Sequence, residues 1–134
     1  MSRRRVLLWL LPLLLLLTGF RDAPLVDPAP LAIPAGVDEQ VVLKTVRKTL
    51  NTRGWAVTEE HPGEIKSVLR DGDRSVRIDL SWSQGQLVLK YIDSQNLKYH
   101  LDEGTPYIHK NYLDWIDDLT RDLGAALGAL ATTK

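Results

Sequence analysis

QLVLKYIDSQNLKYHL (residues 86–101) and, after a short polar turn, TPYIHKNYLDWIDDLTRDLGAALGAL (residues 105–130) decide how the rest of the chain is read. In the first run Leu87, Leu89 and Tyr91 alternate with polar positions, the period of a strand with one dry face. Asp93-Ser94-Gln95-Asn96 then breaks the pattern. Such side chains bond nearby backbone amides and favour turns or bulges. Leu97, Tyr99 and Leu101 alternate again with Lys98, His100 and Asp102, which predicts a return to extended chain. In the second run Ile108, Tyr112, Trp115, Ile116, Leu119, Leu123, Leu127 and Leu130 form one long apolar stripe at helical spacing. Thr105 is placed to cap that helix, with Pro106 at its first position.

Working back from this core, Ser75 to Trp82 carries Val76, Ile78, Leu80 and Trp82 in strict alternation with polar residues, a sheet strand with one wet face. Asp71-Gly72-Asp73 and Ser83-Gln84-Gly85 are tight turns on either side of it. Ile65–Arg70 and Trp55–Glu60 read as two further strands, separated by His61-Pro62-Gly63. Short connections between successive strands favour an antiparallel meander. Residues 37–53 read as a helix, with Asp38 as its cap and Val42, Val46 and Leu50 as its apolar stripe. Gly54 suits the position after its end. The expected fold class is therefore α+β: a two-layer domain over residues 37–130, built as a helix, a four-stranded antiparallel meander and a long C-terminal helix.

The N-terminus is different in kind. MSRRRVLLWLLPLLLLLTGF sets three arginines before an apolar run from Val6 to Leu17. This is the pattern of a secretory signal. The run is shorter than the roughly 20 residues that span a bilayer as a helix, so residues 1–20 are read as a signal peptide or, if uncleaved, an N-terminal anchor. In the latter case residues 6–20 keep the protein at the membrane. Residues 21–36 contain four of the seven prolines, which fix φ and disfavour helix before them. They read as a Pro-rich linker.

Composition excludes several functions. The chain has 17 basic and 17 acidic residues. Arg3, Arg4, Arg5 and Arg21 lie in the first 22 residues, leaving 13 basic against 16 acidic residues beyond them, a net charge of −3. Nucleic-acid binding relies on clustered cations, so no nucleic-acid partner is expected. With no cysteine, disulfides, thiol catalysis and thiolate metal sites are excluded.

The residues able to carry chemistry gather in the opening stretch. Ser94 beside Asp93, with His100 and His109 nearby, holds the residue types of a nucleophilic triad. No G-x-S-x-G elbow accompanies them, and Ser94 reads as a turn residue. His100-x-Asp102 with His109 could offer three nitrogen and oxygen ligands to zinc, but no H-E-x-x-H pair is present. Tyr91, Tyr99, Tyr107, Tyr112 and Trp115 could line a groove, although such residues more often form core with their hydroxyls reaching the surface. No catalytic residue, metal ligand set or cofactor is assigned. The ligand-binding candidates are Asp93, Ser94, Asn96, Tyr99, His100, His109 and Tyr112.

Tyr91-Ile92-Asp93-Ser94-Gln95-Asn96-Leu97-Lys98-Tyr99, followed by Ile108-His109, Tyr112 and Trp115, resembles a family of small uncharacterised exported bacterial proteins that look like lipoproteins. Arg53-Gly54-Trp55 and Gly63-Glu64-Ile65 match further motifs of that family, and the resemblance covers about Val37 to Leu123. Two positions depart from it. Leu113 stands where the family usually has Asn. Phe20, after Leu16-Leu17-Thr18-Gly19, stands where a lipoprotein has its lipidated Cys, so the diacylglycerol has no thiol to join. The resemblance implies fold and location rather than an activity. The expected function is that of a non-enzymatic binding or structural module of the bacterial cell envelope. It would be exported to the periplasm or anchored to the inner membrane, with an envelope protein or small ligand as partner. The alternative is a metal- or small-ligand-binding enzyme centred on His100 and His109.

Overall fold

A computed structural model describes residues 22–132. The expected signal or anchor, with Phe20, lies outside the described residues. The α+β class holds, with two α-helices and two antiparallel sheets among the described residues. The strands are β1 (Asp22–Pro24), β2 (Leu31–Ala32), β3 (Ala56–His61), β4 (Glu64–Asp71), β5 (Arg74–Ser83), β6 (Gln86–Gln95), β7 (His100–Asp102) and β8 (Thr105–His109). The helices are α1 (Glu39–Thr52) and α2 (Lys110–Ala129), the latter ending in a 3-10 turn over Leu130–Thr132.

The expected meander is β3 to β6, joined by hairpins in sequence order. The four-strand count needs correction. β2 adds a fifth strand against the start of β6, and β1, β8 and β7 form a separate three-stranded sheet. Both additions use residues 21–36, expected as a linker. Pro24 faces Tyr107 across β1 and β8, and Leu31 faces Leu87 across β2 and β6. Proline density forced extended chain there, as read, but an extended strap can also be an edge strand. Asp27 bridges the two pairings: its carboxylate accepts the Tyr91 backbone N–H at 3.1 Å.

The helix expected to start at Pro106, with Thr105 as its cap, begins four residues later. Thr105–His109 is β8, and His109 is the N-cap, its Nδ1 accepting the Asn111 N–H at 3.1 Å. A Thr-Pro pair suits a helix start, but Pro106 and Tyr107 instead face Leu101 and His100 across a hairpin. The extended chain expected from Leu97 is also shorter than read. Asn96 and Lys98 adopt positive φ (59° and 57°), so only His100–Asp102 joins a sheet.

One core lies between the helices and the large sheet. Val42, Val46 and Leu50 of α1 meet Val76, Ile78 and Leu80 of β5, Leu87 and Leu89 of β6, and Tyr112, Ile116, Leu119, Leu123 and Leu127 of α2. These are the stripes the sequence presents. Trp115, expected within the core, is partly buried at its margin. Asp38 caps α1 as read, accepting the Gln40 N–H at 3.0 Å. The next residue, Glu39, accepts the Trp82 indole N–H at 3.0 Å and the Gly63 N–H at 2.8 Å. Gly63 has φ 78°, and a Cβ there would lie 3.2 Å from the Trp82 carbonyl oxygen, so the turn between β3 and β4 requires glycine.

Candidate functional site

The bulge in β6 sorts the sequence candidates. Tyr91 pairs with Ile78 and Asp93 with Arg77, leaving Ile92 as the extra residue. An extra residue reverses which face the following side chains take. Tyr91 and Ser94 therefore face the helices, opposite the buried Ile78 and Val76, while Asp93 stands on the open face beside Arg77. Asp93 and Ser94, neighbours in sequence, cannot form one catalytic unit.

Each polar candidate around the bulge has a structural partner. Arg77 donates to both Asp93 oxygens, and that pairing holds the Asp93 carboxyl below the usual carboxylate range. Ser94 Oγ and Tyr91 Oη lie 2.7 Å apart. Asn96 donates from Nδ2 to the Asp73 carbonyl at 2.6 Å, tying the end of β6 to the β4–β5 hairpin. A depression of about 400 Å3 on the open face is floored in part by Arg77 and Asp93. The guanidinium and carboxylate in it neutralise each other.

The two histidines are set in opposite tautomers. His100 Nδ1 lies 2.7 Å from the Lys98 carbonyl oxygen. A carbonyl only accepts, so this nitrogen carries the proton, and in the neutral ring the lone pair is on Nε2. His109 Nδ1 accepts an N–H as the α2 cap, so in the neutral ring its proton is on Nε2. The lone pair that could ligate a metal is thus committed to the helix end. Among the described residues no group of three or more His, Asp or Glu is placed to hold a metal ion.

What the structure does bring together is aromatic. Tyr99 stacks on Tyr91 with centroids 5.3 Å apart and planes at 13°. Tyr91 meets Tyr112 edge-on at 5.5 Å. His100 stacks on Tyr107, its cross-strand partner, at 5.6 Å. Tyr112 is buried, and its hydroxyl has no hydrogen-bond partner. Burial, with the charge of Asp27 adding, pushes that hydroxyl above the ordinary tyrosine range. Tyr99 and His100 are exposed and present one edge of this group to solvent.

Two features escaped the sequence reading. Asp27 holds the strap to β6, a contact between residues 64 positions apart that no local pattern signals. Asp79 faces Lys66 and Lys90 across the open sheet face. Burial, with the Glu64 carboxyl adding, pushes Asp79 up to about 6. The alternation of β5 marks Asp79 as outward-facing, but its neighbours follow only from strand register.

A second concavity, about 510 Å3, runs between α1 and α2 past Thr45, Thr49, Ala125 and Ala126. It holds none of the sequence candidates. No protein-family model matches the chain, and no curated protein matches it.

Proposed function

We propose that this chain is a non-enzymatic module of the bacterial cell envelope, exported and held in the periplasm or at the inner membrane, that binds through its aromatic end around Tyr99 and His100. One observation carries the reading. Asp93, Ser94, Asn96 and His109, the residues with the chemistry of a catalytic site, are each engaged in a bond that shapes a bulge, turn or helix end. A catalytic group needs a free lone pair or proton aimed into a cleft. The stacked aromatic pairs, by contrast, meet solvent at Tyr99 and His100.

The location rests on the arginine-led apolar run of residues 1–20 and on the resemblance to small exported bacterial proteins. A fusion of the whole chain to a C-terminal reporter that folds only in the periplasm tests it. The expected result is an active reporter. A silent reporter, with the chain recovered in the cytosol, would overturn the location.

A further inference from the structure

Four large apolar side chains are markedly exposed among the described residues: Val26, Val41, Tyr99 and Leu101. Three of them gather at the small sheet. Leu101 lies in β7 opposite Pro106 and is 64% exposed. Leu25 donates its N–H to that same Pro106 at 2.8 Å, which sets the neighbouring Val26, 70% exposed, beside the sheet. Tyr99 precedes β7 and stacks on Tyr91, whose N–H is held by Asp27, the residue after Val26. Val41 is on α1.

The chain enters this sheet directly from the apolar N-terminal run. β1 begins at Asp22, only residues 18–21 separate it from Leu17, and extended chain covers at most about 18 Å over that interval. β1 is two strands from β7, about 10 Å across the sheet. We infer that this end of the molecule seats on the surface of the lipid bilayer, at headgroup level, beside the point where the N-terminal segment enters it. The inference rests on the anchored form of the proposed location.

Three considerations favour lipid as the occupant. Val6 to Phe20 is an uncharged stretch of 15 residues. Wound as a helix it would reach about 22 Å, short of a hydrocarbon core of about 30 Å. A short stretch draws its flanks toward the headgroups. Tyrosine, with an apolar ring and a polar tip, is enriched at that level. Finally, three exposed side chains are too few to hold a soluble partner alone, whereas a short tether gives even a weak contact a high effective concentration. Asp102 and Glu103 in the adjoining turn oppose deep insertion, and with Asp27 they offset Lys98 and Lys110. Apolar seating rather than attraction to anionic lipid therefore dominates.

The absence of natural cysteine allows a direct test. Single-cysteine chains of full length, Val26→Cys, Leu101→Cys and Val41→Cys, carry an environment-sensitive fluorophore and are reconstituted into zwitterionic phosphatidylcholine vesicles. Headgroup spin-labelled lipid serves as quencher. Labels at 26 and 101 should shift to the blue and be quenched several-fold more than the label at 41, with little change on adding salt. If the chain stays with the vesicles after an alkaline wash but all three labels are equally wet, the seating is wrong and the anchored location stands. If the chain washes off, both fail. A blue shift that rises with protein concentration without lipid quenching would assign the patch to a second copy instead, and a signal abolished by salt would replace apolar seating with charge attraction.

Discussion

Tyr99 lies flat against Tyr91, the two rings 5.3 Å apart and 13° from parallel. Tyr99 follows a turn with two residues at positive φ, Asn96 and Lys98. The stack therefore fixes where the chain lands before it enters β7. Aromatic pairs contribute about 0.5–1.5 kcal/mol beyond area burial. Tyr99→Ala should lower unfolding stability in urea by about 1 kcal/mol, and Tyr99→Phe, which keeps the ring, should change it little. Equal losses in the two variants would show that the hydroxyl, rather than the stack, matters.

Tyr112 packs in the core with its hydroxyl unpartnered. A buried polar group without a partner costs about 1–3 kcal/mol. Tyr112→Phe removes only that oxygen and should raise stability by about 1 kcal/mol. Tyr112→Ala should lower it by about 3–5 kcal/mol, the range for large buried aromatics. Destabilisation by the Phe variant would mean that the hydroxyl has a partner, such as a buried water.

Asp79 supplies a pH dependence. Its folded value of about 6 lies above its ordinary 3.8, so the folded chain holds this proton more tightly than the unfolded one. The contribution to stability is complete below about pH 4 and is lost as pH rises through about 6. Thermal melts of the wild type should therefore include a fall between about pH 4 and pH 6 that is absent from Asp79→Asn. The same fall in both chains would place its origin elsewhere.

Local periodicity made the layers legible. Val76, Ile78, Leu80 and Trp82 alternate and are buried, and the Tyr112-to-Leu127 stripe is the inner face of α2. The small sheet was not legible, because its pairings join Asp22–Pro24 to Thr105–His109 over more than 80 positions. Strands of three and five residues leave too few positions for alternation to show. Thr105-Pro106 carried a helix-start signal that the hairpin pairing overrode. At the candidate site, the break at Asp93–Asn96 was visible. Its consequence, that Ser94 turns to the helices and Asp93 to the open face rather than the reverse, depends on the register of β6 against β5. The two imidazole tautomers depend on the Lys98 carbonyl and the Asn111 amide, whose positions follow from the backbone path.

Under the proposed function, the polar residues at the sheet–helix junction hold the fold and carry no metal chemistry. Thermal melts of the full chain and of Asp93→Ala, Asn96→Ala, His100→Ala and His109→Ala, each with and without added zinc, test it most directly. Loss of the His109 cap should lower stability by about 0.5–2 kcal/mol, with His109→Asn recovering most of it. Asn96→Ala should fall by about 1 kcal/mol with its bond to Asp73, and Asp93→Ala should fall less, since its pair with Arg77 is exposed. Zinc should shift none of these melts. A zinc-dependent rise in the wild-type melting temperature that vanishes in both His100→Ala and His109→Ala would contradict the account.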